Sequence, residues 1–248
     1  MVETDEGDQA VIFGDIHGNS AALRAVFDDM DDRGLGAERY CLGDLVGYGT
    51  FPNEVVEFVR SRDVPTIAGN YDRGVGNNSD DCGCAYRTEI EQERGDRSIA
   101  WTNEEITDEN RAYLRTLESR IAFELGDLRV VLVHGSPRRV NEYLYEDRPD
   151  ESFERLLDSV DADVLVCGHT HLPYHKVLPS DRHVVNAGSV GKPKDGDPRA
   201  CYAVLSASAT DLDVRFNRVE YDVERMATAI EAAEMPDAFA EMLRTGTS

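Results

Sequence analysis

Short apolar runs alternate with amphipathic stretches along the chain. Residues 10–13 (AVIF) are uniformly apolar and read as a first buried strand. Ala22, Leu23, Val26, Phe27 and Met30 then recur at helical spacing, which predicts a helix over 20–30 capped by Asn19. The same reading gives a strand at 39–42, a helix at 53–61 with Val55, Val56 and Val59 inward, and a strand at 64–68. Residues 80–118 read as mostly helical, with WTNEEITDENRAYLRTL a sustained stretch, and are expected to form a helical cap or flank. Gly126-Asp127 between apolar runs at 121–125 and 128–133 is a two-residue hairpin signal. A helix at 151–160 follows, then strands at 164–167, 174–178, 183–186, 201–206 and 212–218, and helices at 223–233 and 237–244. Short β-α units followed by many strands predict an α/β fold of two stacked sheets with helices outside. No repeat or linker interrupts residues 1–248, so one domain is expected.

Composition adds constraints. The first ten residues, MVETDEGDQA, are acidic, and the next apolar run is too short for a signal peptide core. No run approaches the roughly 20 residues of a membrane span, so no membrane partner and a cytoplasmic location are expected. Cys41, Cys82, Cys84, Cys167 and Cys201 are odd in number and lack a second close pair for a zinc site, which reads as reduced thiols. The formal net charge is −23, from 49 acidic and 26 basic residues. Such a surface repels nucleic acid and anionic membranes. The acid is spread along the chain rather than gathered in a tail. Lysine occurs only at 176, 192 and 194, and the Asp-rich, Lys-poor balance resembles that of halophilic proteins, where salt screens self-repulsion.

Seven residues can hold two metal ions: Asp15, His17, Asp44, Asn70, His134, His169 and His171. They lie in five blocks, GDIHGN (14–19), GDLVGYG (43–49), GNYD (69–72), VHGSP (133–137) and GHTH (168–171), each after an apolar, β-prone run. Asp15/His17 and His169/His171 are two apart, so each pair shares a face at a strand end. The carboxylate of Asp44 can bridge two cations, and Asn70 offers a neutral oxygen. Any one of these residues alone is a weak signal; five blocks at strand ends, where open α/β sheets bind ligands, form a pattern.

These blocks, with NAGSVG (186–191), resemble the calcineurin-like metallophosphoesterase superfamily, in particular its small prokaryotic phosphodiesterase branch. The motifs span most of the chain. The resemblance implies a four-layer α-β-β-α sandwich. It also implies one ion on Asp15, His17, Asp44 and His171 and a second on Asp44, Asn70, His134 and His169, with Asp44 bridging. The mixed nitrogen and oxygen set suits Mn²⁺, Fe, Zn²⁺, Co²⁺ or Ni²⁺ better than Ca²⁺ or Mg²⁺. Two such cations roughly 3.5–4 Å apart lower the pKa of a shared water and stabilise charge on phosphoryl oxygens. Hydrolysis of a small phosphoester by a metal-bridging hydroxide follows as the expected activity. A phosphomonoesterase or protein phosphatase, a nuclease, and a non-catalytic protein-binding member of the same fold are the alternatives.

Two departures from the family pattern bear on the substrate. Many members carry histidine where this chain has Tyr71. With a reference pKa of about 10, tyrosine is a poor match for a proton donor at neutral pH, which favours phosphodiesters or aryl phosphates with acidic leaving groups. Asp72 either orients Asn70 and Tyr71 as part of the catalytic set or caps a loop. Protein phosphatases carry GDxVDRG in the second block, where this chain has Gly47-Tyr48-Gly49. Arg73, Arg138 and Arg139 closely follow metal blocks and are candidates for binding phosphate, or surface arginines balancing acid. Gly188, Ser189 and Gly191 either line the pocket or make a tight turn. His175 and His183 read as strand-surface residues, with His175 an outside candidate for the acid.

Overall fold

The computed structural model describes residues 8–35, 38–86, 88–208 and 211–248. Strand β1 (Gln9–Phe13) pairs in parallel with β2 (Arg39–Cys41) and antiparallel with β8 (Ala200–Ser208), which pairs with β9 (Asp211–Val219). The order of this first sheet is β2-β1-β8-β9. The second sheet is built from β3 (Arg120–Leu125), β4 (Leu128–Val133), β5 (Val164–Cys167), β6 (Tyr174–Val177) and β7 (His183–Asn186), in the order β3-β4-β5-β7-β6. Both sheets are mixed.

The uniformly apolar runs have a simple cause: both faces of these strands are covered. Along β1, Ala10 and Ile12 point to the second sheet while Val11 and Phe13 meet α1 (Ser20–Asp32) and α2 (Pro52–Arg60). Along β5, Val164 and Val166 enter the same central layer, whereas Leu165 and Cys167 pack with Phe153 and Leu157 of α6 (Asp150–Val160). Helix, sheet, sheet and helix form the four layers expected. Asn19 caps α1 as the sequence predicts, its side chain accepting from Ala22 N at 3.0 Å. All five cysteines are free.

Three expectations are corrected. The 64–68 run is not a full strand: it contributes isolated bridges, Thr66 to Cys41 and Ile67 to Glu118. Pro65 lacks an N–H, so it offers the ladder only its carbonyl, which accepts from Cys41 N. The 80–118 segment is helical only from Glu89, and the long stretch within it is two helices, α4 (Glu89–Glu105) and α5 (Asp108–Leu114). The break falls where Ile106 is extended and Thr107 caps α5, accepting from Asn110 N. Finally, a short helix not foreseen, α3 (Asn70–Gly76), begins on the third block. Its two glycines hide it from propensity, but Asp72 holds its first turn by accepting from Gly69 N at 2.9 Å.

Helices α7 (Val223–Ala232) and α8 (Ala238–Thr245) pack with Trp101 of α4. Ser98 of α4 accepts a hydrogen bond from Tyr48 N at 2.8 Å. The helical segment thereby lies against the second metal block. Among the described residues, no helix is long and apolar enough to cross a membrane.

Candidate metal centre

The carboxyl ends of β1 and β2 in one sheet, and of β4 and β5 in the other, deliver six of the seven candidate ligands; Asn70 comes from the start of α3. Backbone bonds fasten the first two loops together: Asp15 N donates to Gly43 O, and both Ile16 N and His17 N donate to Asp44 O. Asp15, His17, Asp44, His169 and His171 all have positive φ, between 50° and 66°. Backbone strain of this kind is held in place only where the surroundings over-determine it, and it clusters at functional sites. Gly69 is needed for close approach: a Cβ there would lie 2.0 Å from Asp44 Oδ1.

The side chains converge in two groups, Asp15 with His17 and His171, and Asp44 with His134 and His169. His17 Nε2 lies 3.8 Å from Asp15 Oδ1 and 3.7 Å from Asp44 Oδ2, and His134 Nε2 lies 3.3 Å from that same Asp44 oxygen. Asp44 thus faces both groups.

The hydrogen bonds around the rings define what they offer. His17 Nδ1 faces Val46 O at 3.1 Å, His134 Nδ1 faces Leu42 O at 2.8 Å, and His171 Nδ1 faces Lys192 O at 2.5 Å. A carbonyl only accepts, so each Nδ1 carries a proton, and in the neutral rings of His17 and His171 each Nε2 presents a lone pair inward. His17 Nε2 and His171 Nε2 nevertheless sit 3.2 Å apart. Asn70 donates Nδ2 to Cys82 O and Cys84 Sγ, which turns its Oδ1 toward His134 Nε2 at 3.1 Å. His169 Nε2 is buried with no hydrogen-bond partner among the described residues. Lone pairs facing lone pairs repel unless an electrophile lies between them. The donor set, four imidazoles, two carboxylates and an amide oxygen, fits two divalent cations of the transition series.

Electrostatics divide the cluster. Burial pushes His17 and His169 down to about 3 and lowers His171 too, so these imidazoles stay neutral. Burial acts to raise Asp44, but His134, followed by His17 and His169, holds its carboxyl below the usual range. Burial acts against a charge on His134, and Asp44 more than offsets it, raising the imidazole to about 9. Asp15 is raised by burial.

Comparison with known proteins places this geometry. The model of the calcineurin-like phosphoesterase superfamily domain matches residues 9–210. The chain belongs to the calcineurin-like phosphoesterase superfamily. An uncharacterized protein of Methanocaldococcus jannaschii is 32% identical over 252 residues, covering 95% of this chain and 97% of its own. A metallophosphoesterase from Sphaerobacter thermophilus superposes with a TM-score of 0.74 at 29% identity, covering 97% of this chain and all of that one. A hypothetical protein from Pyrococcus horikoshii shares the fold, with a TM-score of 0.82 at 24% identity over 97% and 99% of the two chains.

Within this superfamily member, the remaining candidates separate. Tyr71 is buried, its ring edge-on to His17 with centroids 5.6 Å apart, and its hydroxyl has no partner among the described residues. Burial keeps that hydroxyl protonated far above its ordinary pKa. Asp72 accepts from Asp44 N at 2.7 Å, Leu45 N at 2.9 Å and Gly69 N, so both its oxygens tie the second block to the third. Burial, with Asp44 beside it, pushes its pKa up to about 7. Asn186 donates to Gly168 O and Thr170 Oγ1, and Ser189 donates to Asp15 O. The NAGSVG segment therefore braces the ligand loops. Arg138 is paired with Glu142, Arg139 is exposed, and Arg73 is exposed beside Arg115 in a separate depression. None of the three lines the cavity next to the ligands. His175 and His183 bond each other at 3.0 Å across β6 and β7.

That cavity, of about 510 Å³, is lined by residues the motifs did not flag, among them Tyr86, Tyr143, Lys192 and Lys194. Tyr143 lies against the His169 ring, centroids 4.2 Å apart. The available signal was lysine rarity: two of the three lysines in the chain meet here.

Proposed function

We propose that this chain is a phosphoester hydrolase working with two divalent cations, and that small phosphodiesters are its preferred substrates. The observation that carries the reading is the approach of the neutral His17 and His171, whose Nε2 lone pairs face each other at 3.2 Å as two ligands of one cation would. Asp15, His17, Asp44 and His171 would hold one ion, and Asp44, Asn70, His134 and His169 the other. When bound, such a pair supplies Lewis acidity to phosphoryl oxygens and an acidified water.

The protein's own residues set the rest. Three backbone carbonyls aim the imidazoles, and Asp72 fixes the distance between Asp44 and Asn70. Tyr71 and Tyr48, packed beside His17, exclude water from one side of the cluster. Because burial makes Tyr71 a reluctant proton donor, the leaving group must bear its own charge. That supports diesters with acidic leaving groups over alkyl monoesters. In this reading the whole chain works as one domain, with segment 80–118 flanking the site.

The test is hydrolysis of bis-p-nitrophenyl phosphate and p-nitrophenyl phosphate with Mn²⁺, in molar salt, alongside elemental analysis. The expected result is about two metal equivalents, a kcat/KM at least threefold higher for the diester, and loss of metal in Asp44→Asn. Bound metal without hydrolysis of either ester by any divalent ion would refute the enzyme; a monoester preference would refute the diester reading.

A further inference from the structure

Lys192 is an anomaly in this chain. It is only 5% exposed, and its ammonium forms no ion pair or hydrogen bond among the described residues. Its close partner is the face of Tyr48, 4.8 Å from Nζ to the ring centroid. A chain with 49 acidic residues has no shortage of carboxylates to pair with it. Burial makes a charge on this amine costly, so it takes up a proton most readily beside a partner that arrives with its own negative charge. Burial, and then the nearby Lys194, hold the Lys192 amine well below its ordinary pKa, and burial lowers Lys194 against the pull of Asp15 and Asp44. Both lysines line the 510 Å³ cavity that opens beside the ligand cluster.

The rest of the lining includes five aromatic side chains alongside Glu91 and Arg94. Tyr48, Tyr86, Tyr143 and Tyr145 contribute, with Phe239 of α8. Tyr143 and Tyr145 are nearly parallel, 9° between planes, with centroids 5.9 Å apart. Flat walls and an apolar interior favour a planar group, and the size lies within the usual range of small-molecule sites.

We infer that Lys192 and Lys194 bind the anionic oxygens of the substrate while the tyrosine walls hold its organic part, so that the enzyme selects phosphoesters of planar aromatic groups over alkyl phosphoesters. This rests on the hydrolase reading above, but it concerns a binding cavity and is tested by binding.

The experiment is calorimetric titration with phenylphosphonate and methylphosphonate, which cannot be hydrolysed, on the Mn²⁺-loaded full chain and after chelation. Wild type is expected to bind the phenyl compound at least tenfold tighter than the methyl compound. Lys192→Met should weaken both about tenfold, with Lys194→Met acting in the same direction, whereas Tyr143→Ala should weaken only the phenyl compound. Lys192→Arg, which keeps the charge, should stay within about threefold of wild type. Met fills similar volume and removes a buried amine, so the ligand-free Lys192→Met protein should melt no lower than wild type, which excludes misfolding as the cause. Equal binding of the two phosphonates, no binding of either, or affinities within twofold of wild type in both lysine variants would overturn the inference. Intact selectivity without hydrolysis would instead refute the hydrolase alone.

Discussion

Gly47 and Tyr71 depart from the family pattern in different blocks, yet they are in contact, and this contact can be measured. Gly47 has φ of +91°, and a Cβ built on it would lie 2.3 Å from Tyr71 Cδ1 and 2.6 Å from Cε1. Carbon atoms in ordinary contact are about 3.5–4.0 Å apart, so the ring would have to retreat by more than an ångström. It has nowhere to go: Tyr71 is buried between Tyr48, with centroids 4.8 Å apart, and His17. Gly47→Ala should therefore carry about 1–2 kcal/mol of left-handed backbone strain and about 1–3 kcal/mol of overpacking. Tyr71→Ala alone should cost about 3–5 kcal/mol, as for other buried aromatics. With the ring gone, the overpacking component of Gly47→Ala vanishes and only the backbone component remains. The double variant should then be about 1–3 kcal/mol more stable than the sum of the single changes predicts. Equilibrium urea unfolding of the four proteins in molar KCl, with matched m values, measures this coupling. Additivity within about 0.5 kcal/mol would refute the claim that Gly47 is there to seat Tyr71.

Asp72→Asn keeps the size of a side chain that accepts three backbone N–H groups but turns one oxygen into a donor. At least one buried bond is lost, which costs about 1–3 kcal/mol, and metal affinity measured by competition with a chelator should fall at least tenfold; unchanged affinity would show that the tie does not set the ligand spacing. Half-buried His175 and buried His183, which is not the strand-surface residue expected, both have lowered pKa values, first by burial, against the opposing pull of Asp211 and Asp213 on His175 and of Asp211, Asp181 and Asp163 on His183. Groups held neutral in the fold contribute stability that is fully present above their ordinary value near 6.5 and is lost as pH falls through the folded values. The double variant His175→Gln/His183→Gln should show a shallower decline of melting temperature with acidification below that pH, and an unchanged slope would contradict it.

The sandwich and the convergence of the candidate ligands were legible because both rest on local signals. Uniformly apolar runs mark strands covered on two faces, and a residue one to four positions past such a strand is carried to the sheet edge by the strand itself. What escaped has different causes. Helix α3 depends on Asp72 capping a sequence that contains Gly74 and Gly76, and the partners of Asp72 are backbone groups that no side-chain pattern encodes. The extended run before it pairs only through isolated bridges because Pro65 has no N–H to give. Tyr143 and Lys192 come from irregular segments after β4 and after β7, which have no periodicity to read. Arg73, Arg138 and Arg139 show the converse: nearness in sequence to a ligand did not place them at the cavity, and Arg138 is satisfied by Glu142.

Charge then separates this site from the surface around it. A surface carrying −23 overall repels polyanions at long range, and salt weakens that repulsion only beyond a Debye length of about 10 Å at 0.1 M. At the ligand cluster the balance would reverse: only two of the seven candidate ligands are carboxylates, so two divalent ions would leave a surplus of positive charge, which would favour an anion beside Lys192 and Lys194. Low-dielectric walls concentrate such a field over short distances. A small ester with one or two negative charges that enters the cavity feels mainly the local positive field. An oligonucleotide lying across the rim would feel the carboxylates as well. In the two-metal reading this arrangement would favour a compact phosphoester over a polyanion.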